Sequence, residues 1–325
     1  MRILVTGGVG FIGGHFVRAA SEAGHRVVVL DDLSGGEPLP LPLGVTFVQG
    51  DIGDRVLLQM LCQHHHFEAV VHFAGKIQVG ESVQRPELYY DVNLARSLVL
   101  LDELRKGGVR YFVFSSTAAV YGTPERVPIP EEAPKEPVNP YGATKHSFER
   151  ALAAYGTAYD LRWAALRYFN AAGAQPDGTL RENHQPETHL IPLVLDAGLG
   201  LRPPLQVFGE DYPTRDGTCV RDYIHVCDLA AAHLAALTYL ASGQPSLAAN
   251  LGTGRGFTVR EVLDAAAAVL GRPIPHTVCA RRAGDPAELV AESQRARELL
   301  GFVPRRSELH TLIEDALRPR RERAR

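Results

Sequence analysis

The segment RILVTGGVGFIG, residues 2–13, decides the fold that the sequence predicts. An apolar run rich in β-branched residues comes first, and glycines then stand at positions 7, 8, 10 and 13 before a helical pattern begins. Glycines at a strand-to-helix turn let the backbone approach a diphosphate at the helix N-terminus. Asp31 ends the next apolar run, where its carboxylate can accept hydrogen bonds from an adenosine ribose. The segment therefore predicts a dinucleotide-binding βαβ unit.

The residues after the second predicted strand indicate which dinucleotide binds. No arginine or lysine directly follows Asp31 and Asp32, and a 2′-phosphate beside two carboxylates would be repelled, so the sequence favours NAD. Further candidate contacts stand at the ends of later apolar runs or, for Asn93, in a following helix. They are Asp51, Ile52, Phe73, Ala74, Gly75, Asn93, Ser115 and Ser116.

The alternation of strand and helix patterns along the chain predicts its architecture. Short apolar runs such as HRVVVLD and YFVFSS alternate with longer helical patterns over residues 1–170, as in a doubly wound parallel sheet of the Rossmann type. Residues 171–325 contain many Pro and Gly residues and predict a smaller α/β substrate domain. Two helices are predicted within it, one that begins at Asp228 and another that ends at Gly271. An alternative division returns part of 218–255 to the first domain.

Composition narrows the class of protein. The formal net charge of −3 gives no global positive field for nucleic acid or an anionic membrane. No apolar run approaches the roughly 18 residues of a membrane span, and the N-terminus lacks a signal-peptide pattern. The four cysteines form no CxxC pair and are expected to be reduced. A cytoplasmic protein is the resulting expectation.

The segment YGATK places Tyr141 and Lys145 four residues apart, which is one turn of a helix starting after Pro140. An ammonium beside a phenol is expected to lower its pKa from the reference near 10 and make tyrosinate a usable base. Thr117, at the end of the strand YFVFSS, could bond the same substrate oxygen. The pattern predicts proton removal from a substrate hydroxyl.

Longer segments carry a resemblance over nearly the whole chain. They are TGGVGFIG, HFAG, VGESVQRPELYYDVN, FSSTAAVYG, PYGATK, LRYFNAAGA, DGTCVRDYIHV, NLGTG and RRAGDP. In these segments the chain resembles the extended short-chain dehydrogenase/reductase superfamily and, within it, the UDP-glucose (UDP-galactose) 4-epimerases. The resemblance implies Tyr141 as catalytic base, Lys145 as its electrostatic partner and nicotinamide-ribose contact, and Thr117 as the hydroxyl sharing the sugar oxygen.

The resemblance also implies a set of ligand contacts without a metal ion. The expected NAD contacts are Gly7, Gly10, Phe11, Ile12, Gly13, Asp31, Asp32, Asp51, Ile52, Phe73, Ala74, Gly75, Asn93, Ser115, Tyr141, Lys145 and Tyr168. The expected UDP-sugar contacts are Thr117, Asn170, His189, Leu190, Arg221, Arg282 and Asp285. The two arginines and Asn170 match diphosphate contacts, and Asp285 matches an acceptor for the uridine ribose.

The implied reaction interconverts UDP-galactose and UDP-glucose without net redox change. Tyr141 would remove the 4-hydroxyl proton while the C4 hydride passes to tightly bound NAD, leaving a 4-keto sugar. The keto sugar then turns over and receives the hydride on its opposite face. Ile77 aligns with a position that is lysine in many members, so that nicotinamide contact does not carry over. The resemblance favours a homodimer formed through paired helices.

Alternative functions stay open at this point. Leu289 aligns with an aromatic position of members that exclude N-acetyl sugars, which makes UDP-N-acetylhexosamine a candidate substrate; UDP-glucuronate and UDP-pentoses are others. A 4,6-dehydratase would carry an Asp-Glu pair where Ala118 and Ala119 stand. A non-catalytic NAD-binding regulator would not need the intact Tyr141 and Lys145.

Two further patterns give structural expectations only. The side chains of three consecutive residues point in different directions, so the run His64-His65-His66 predicts an exposed helix end and not a metal site. No metal-ligand spacing is found at His184, Glu187 or Asp211. From the residues alone, Arg221 beside Asp222 predicts an internal ion pair.

Overall fold

The computed structural model describes residues 1–182, 184–282 and 285–323. Its strands, in chain order, are β1 (Arg2–Thr6), β2 (Arg26–Asp31), β3 (Thr46–Gln49), β4 (Ala69–His72), β5 (Tyr111–Thr117), β6 (Arg162–Tyr168), β7 (Asn170–Ala172), β8 (Leu205–Phe208), β9 (Val220–His225), β10 (Leu247–Leu251), β11 (Gly256–Thr258), β12 (His276–Cys279) and β13 (Glu288–Leu289).

The α-helices are α1 (Phe11–Glu22), α2 (Arg55–His65), α3 (Val79–Gln84), α4 (Pro86–Tyr89), α5 (Ser97–Lys106), α6 (Pro140–Tyr159), α7 (Leu190–Leu199), α8 (Val226–Ala241), α9 (Val259–Leu270), α10 (Gln294–Leu300) and α11 (Leu309–Arg323). A π-helical segment, Tyr90–Arg96, joins α4 to α5, and a 3₁₀ turn, Ala118–Tyr121, follows β5.

The main sheet has seven parallel strands in the order β10-β6-β5-β4-β1-β2-β3. Reversal of the strand order between β1 and β4 gives the doubly wound arrangement, so the fold prediction is confirmed. The carboxyl ends of parallel strands meet at one edge, where β1, β4 and β5 deliver their following loops. This edge positions the candidate site.

Helices cover both faces of the sheet because its central strands are apolar on both sides. On one face, Phe16 of α1 and Leu237 of α8 pack in a buried cluster with Val5. On the other, Leu101 of α5 and Phe148 of α6 pack in a second cluster with Phe112. The helix α6, which carries the Tyr/Lys pair, is thereby fixed against β5.

A smaller α/β body stands beside the main sheet. Strands β11, β9 and β13 form its sheet with β7 paired to β9, and β8 pairs with β12. Side chains from α7, α9 and α11 build a separate buried cluster there. The strand β10 follows β7, α7, β8 and β9 in the chain but pairs with β6 at the edge of the main sheet.

Two helices differ from their predictions, one in its first residue and one in its helix type. The helix expected at Asp228 begins at Val226, and the segment around Asn93 widens into a π-helix that apolar spacing did not predict. Among the described residues, no helix combines the length and the apolar character needed to cross a bilayer.

Candidate active site

The glycine turn between β1 and α1 is closely packed on one side and open on the other. Gly7 has φ +71°, and a Cβ there would lie 2.6 Å from the backbone nitrogen of Ala74. A Cβ at Gly13 would lie 2.1 Å from the carbonyl oxygen of Gly7. Gly10 is exposed, caps α1 without a side-chain acceptor, and no acidic residue lies in the first turn. The helix N-terminus can therefore receive an anion.

The predicted ribose-side acidic residues lie at the ends of neighbouring strands. Asp31 accepts hydrogen bonds from the backbone nitrogens of Val9 (3.2 Å) and Leu33 (2.9 Å), and burial raises its pKa. Asp32 is exposed. Asp51 pairs with Arg96 across the sheet edge, so its carboxylate already has a cationic partner. The neighbouring Ile52, Phe11 and Ile12 are buried or half-buried at the same edge.

The loop after β4 approaches the glycine turn through its backbone. The nitrogens of Phe73 and Ala74 both donate to the carbonyl of Thr6, at 3.0 and 3.1 Å. The buried Asn93 amide accepts from the nitrogen of Lys76 (2.8 Å) and donates to its carbonyl (2.9 Å). The π-helical widening around Asn93 thus holds this loop.

Gly75 links that loop to the catalytic pair. Its φ is +155°, and a Cβ there would lie 2.9 Å from Asn93 Oδ1 and 3.7 Å from Lys145 Nζ. The apolar Ile77 is 40% exposed, so this position offers no charged group to the nicotinamide side.

The helix α6 presents Tyr141 and Lys145 one turn apart. Asn139 caps it by accepting from the nitrogen of Gly142 (2.9 Å), and Pro140 takes the first helical position. Lys145 Nζ lies 5.9 Å from the Tyr141 ring centroid and donates to the Ser115 carbonyl at 3.0 Å. Thr117 lies beside the Tyr141 side chain and acts to lower its pKa.

The environment lowers the lysine pKa rather than that of the tyrosine. Burial lowers the pKa of Lys145 to about 8, against a smaller opposing effect of Glu149. Burial also raises the pKa of Tyr141, which the neighbouring Thr117 only partly offsets. The expectation that Lys145 lowers the phenol pKa is therefore wrong for the chain alone, because Nζ is directed at the Ser115 carbonyl and desolvation dominates. The Ser115 hydroxyl hydrogen-bonds that of Tyr168.

The predicted substrate-side residues lie on the strands of the smaller body and the loop before β13. Arg221 on β9 forms an ion pair with Asp285, and Asn170 on β7 donates to the carbonyl of Asp222 at 3.3 Å. The Arg282 guanidinium lies 4.1 Å from the Phe208 ring centroid. The structure thus brings Arg221, Asp285 and Asn170 near one another.

The expected ion pair between Arg221 and Asp222 is wrong. Neighbouring residues on a strand point to opposite faces, and the Asp222 carboxylate instead accepts from the backbone nitrogens of Thr253, Gly254 and Ala291, at 3.0, 3.1 and 3.2 Å. Asp222 therefore anchors the loop after β10, which leaves Arg221 free to face Asp285.

Residues 3–252 match the model of the NAD dependent epimerase/dehydratase family. The chain belongs to that family. It is 50% identical over 316 residues to a UDP-glucose 4-epimerase of Azospirillum brasilense, covering 97% of this chain and 91% of that protein.

Solved structures agree with the family assignment. The UDP-glucose 4-epimerase from Brucella ovis in complex with NAD superposes with a TM-score of 0.93 and 45% identity, covering 98% of this chain and 97% of that one. The enzyme from Bifidobacterium longum in complex with NAD+ and UDP gives 0.93 and 36%, covering 99% and 98%. The similarity extends through both bodies of the fold.

One group of side chains in this family member was missed from the sequence. Glu182, His184, Glu187 and His189 converge, with one ligand atom from each within 4.8 Å of all the others. No metal-ligand spacing was recognised in the sequence at His184 and Glu187, whereas the structure brings both side chains together with those of Glu182 and His189. The repeated spacing E-x-H, at 182–184 and again at 187–189, was the available signal. His189 precedes Leu190, the first residue of α7, so this cluster includes a predicted substrate contact.

The charges of that cluster stabilise one another. Burial raises the pKa of Glu182, but the hydrogen bonds from His184 and His189 outweigh it and hold that pKa well below its usual range. Burial lowers the pKa of His189, yet the hydrogen bond and charge of Glu182, followed by those of Glu187, raise it to about 10. In contrast, His64 and His66 are exposed at the end of α2, as predicted.

Proposed function

We propose that this chain is a UDP-glucose 4-epimerase that interconverts UDP-galactose and UDP-glucose with tightly bound NAD. The observation that carries the proposal is the placing of Tyr141 against Thr117, with Lys145 beside Gly75, at the edge where the glycine turn opens. The Azospirillum relative, matched by sequence, and the Brucella structure, matched by fold, are both UDP-glucose 4-epimerases and are covered over nearly their whole length.

The cofactor fits the residues at the sheet edge. A Cβ at Gly10 would meet only the Gly7 carbonyl at 3.4 Å, which leaves the turn open to a pyrophosphate, and Asp31 and Asp32 stand where an adenosine ribose is expected. Lys145, Tyr168 and Ser115 would face the nicotinamide side. Bound NAD would supply a hydride acceptor and donor for C4 of the sugar, and its positive charge would favour tyrosinate beside Lys145.

The chain itself supplies the proton chemistry. Tyr141 takes the 4-hydroxyl proton during oxidation and gives it back to the ketone oxygen during reduction. Thr117, which lies beside the Tyr141 side chain, would hold the sugar oxygen within reach of that phenol. The 3₁₀ turn that follows consists of Ala118, Ala119, Val120 and Tyr121, so a dehydratase-type acid and base are lacking at its first two positions.

The smaller body is proposed to hold the nucleotide part of the substrate. Arg221 and Arg282 would meet the diphosphate, with Asn170 as a further donor, and Asp285 would accept from the uridine ribose once released from Arg221. His189 and Leu190 would border the nucleotide. Firm binding at UDP leaves the hexose free to turn over between its two faces.

The arrangement of the whole protein is part of the proposal. Residues 1–170 would bind NAD together with β10, and the rest of 171–325 would bind the sugar nucleotide. The outer faces of α5 and α6 carry the exposed Ala154 and the half-buried Leu98, which suits the pairing of these helices in a homodimer. A cytoplasmic location is consistent with four free cysteines.

The test is incubation of the purified protein with UDP-galactose and no added cofactor, followed by chromatography of the nucleotide sugars. We expect UDP-glucose to form, and Tyr141→Phe to lower the rate by about 10² to 10⁴-fold while the protein keeps its nucleotide. Unchanged activity in Tyr141→Phe, or no UDP-glucose even with NAD added, contradicts the proposal. A regulator without turnover would give the second result.

A second substrate class is favoured by Leu289. This half-buried leucine pairs in register with Arg221, so it stands beside the proposed diphosphate contact. A side chain smaller than an aromatic ring leaves room for an N-acetyl group. The same assay with UDP-N-acetylglucosamine, UDP-glucuronate and a UDP-pentose measures this breadth, and Leu289→Tyr is expected to lower the rate with the N-acetylated sugar selectively.

A further inference from the structure

The segment before α7 gathers four side chains around a common point. His184 Nδ1 lies 3.2 Å from Glu182 Oε1 and 3.9 Å from Glu187 Oε2. His189 Nδ1 lies 2.8 Å from the same Glu182 oxygen and 2.9 Å from Glu187 Oε1. Two ring nitrogens from different residues are thus directed at one carboxylate oxygen.

These separations, from 2.8 to 3.9 Å, lie around the edge length of a metal-centred tetrahedron. With metal–ligand distances of about 2.0 to 2.2 Å, adjacent ligand atoms of a tetrahedral zinc site are about 3.3 Å apart. The four separations given above fall on both sides of that value. A simple pair of ion pairs would give each histidine its own carboxylate, whereas here both histidines share Glu182.

The chemistry of the donors selects the ion. Two imidazole nitrogens and two carboxylate oxygens suit Zn²⁺, whereas Mg²⁺ and Ca²⁺ prefer oxygen ligands throughout. Zn²⁺ binding would displace the ring protons that otherwise pair with these carboxylates, and two ionised glutamates would then neutralise the divalent charge. The Glu182 side chain is only 3% exposed, and a cation bound by all four residues would compensate this buried charge.

We propose that Glu182, His184, Glu187 and His189 form a structural Zn²⁺ site. All four positions of the tetrahedron are filled by protein, which is the pattern of structural rather than catalytic zinc. The ion would fix Glu182 and residues 184–189 to the start of α7 and, through the edge contact between the rings of His184 and Phe11 at 6.1 Å, to the start of α1.

An entry path for the ion exists. Glu182, His184 and Glu187 line a cavity of about 230 Å³ whose other walls are Arg181, Asp196, Leu201 and Arg320. The two lining arginines already have acidic partners, Glu37 for Arg181 and Asp196 for Arg320. Their charges are therefore compensated by groups outside the ligand set.

The test measures bound metal, so its failure is distinguishable from failure of the proposed sugar chemistry. Tag-free protein is stripped with a chelator, equilibrated with excess Zn²⁺, passed through a desalting column and analysed by mass spectrometry for zinc. We expect about one Zn²⁺ per chain, and less than about a fifth of that in the double variant His184→Ala, Glu187→Gln. The triple variant His64→Ala, His65→Ala, His66→Ala is the matched control and should keep the full amount.

Co²⁺ in place of Zn²⁺ gives a second readout. The wild-type protein should show the strong visible absorption of four-coordinate Co²⁺, and circular dichroism checks that the double variant is folded. Wild-type protein that retains no zinc, or a folded double variant that retains as much as wild type, overturns the proposal. Loss of zinc in the His64–His66 control would also overturn it, because the metal would then be bound at α2.

Discussion

Lys145 shows how function and stability conflict at one residue. Its ammonium is buried, and burial lowers its pKa from 10.5 to about 8. Below pH 8 the lysine is charged in both the folded and the unfolded state, so the folded state bears the full desolvation cost. Between pH 8 and about 10.5 the unfolded chain binds the proton while the folded chain does not, and the cost disappears as pH rises.

We expect Lys145→Met to stabilise the protein at pH 7 while it abolishes turnover. The lowered pKa corresponds to about 3 kcal/mol of destabilisation, which methionine would relieve. The variant also loses the hydrogen bond to the Ser115 carbonyl, which costs about 1 kcal/mol and leaves a net gain. The stability difference from wild type, measured by urea unfolding, should narrow as the pH rises from 8 towards 10. A variant that is less stable than wild type at pH 7 would show that the ammonium is well solvated or paired.

At the scale of elements, the turn between β1 and α1 depends on the absence of a side chain at Gly13. We expect Gly13→Ala to lose bound nucleotide and to melt several degrees lower, because its Cβ would lie 2.1 Å from a backbone oxygen that cannot move aside. Absorbance at 260 nm and thermal melting measure the two effects.

Gly80→Ala is the matched control for that change. Gly80 is also helical, and a Cβ there meets nothing within 4 Å, so alanine should be neutral or stabilise by about 0.5 to 1 kcal/mol. Equal melting temperatures for the two variants would contradict the steric argument.

The helix α6 is tied to β6 by a buried ion pair. Arg167 donates to Glu149 from Nε at 2.9 Å and from Nη2 at 2.6 Å, and both side chains are 6% exposed. We expect Glu149→Ala to cost about 3 to 5 kcal/mol because it leaves the guanidinium buried and unpaired. Arg150→Ala, on the exposed face of the same helix, should change stability by less than about 0.5 kcal/mol. The midpoints of urea unfolding compare the stabilities of the two variants. A small loss of stability in Glu149→Ala would indicate that water solvates Arg167.

The sequence was informative where local patterns repeat. The βα alternation of the first half and the glycine turn predicted the main sheet, because each strand and helix is long enough to show its own periodicity. Strands such as β11 and β13, with three and two residues, have no detectable period, and their pairing with β9 is set by distant segments. The Tyr141 environment was missed for a related reason, since burial is a property of the packed molecule and not of a motif.

At the scale of the whole molecule, the proposed homodimer makes a separate prediction. Light scattering should give about twice the 35.4 kDa chain mass, and Ala154→Glu should give the single chain mass by placing unpaired charges between the paired helices. Ala23→Glu, exposed at the end of α1, is the control and should remain dimeric. A dimer that survives Ala154→Glu places the interface elsewhere.

The position of β10 has a consequence for biosynthesis. Until β10 pairs with it, β6 is the edge strand of the main sheet, yet β10 is translated only after α7, β8, β9 and α8. A nascent chain that has released β6 therefore offers an open, apolar strand edge to other chains on the ribosome. Stalled nascent chains should become resistant to protease only after Leu251 has left the exit tunnel. Completion of the sheet, rather than of the first 170 residues, then marks the end of the aggregation-prone period.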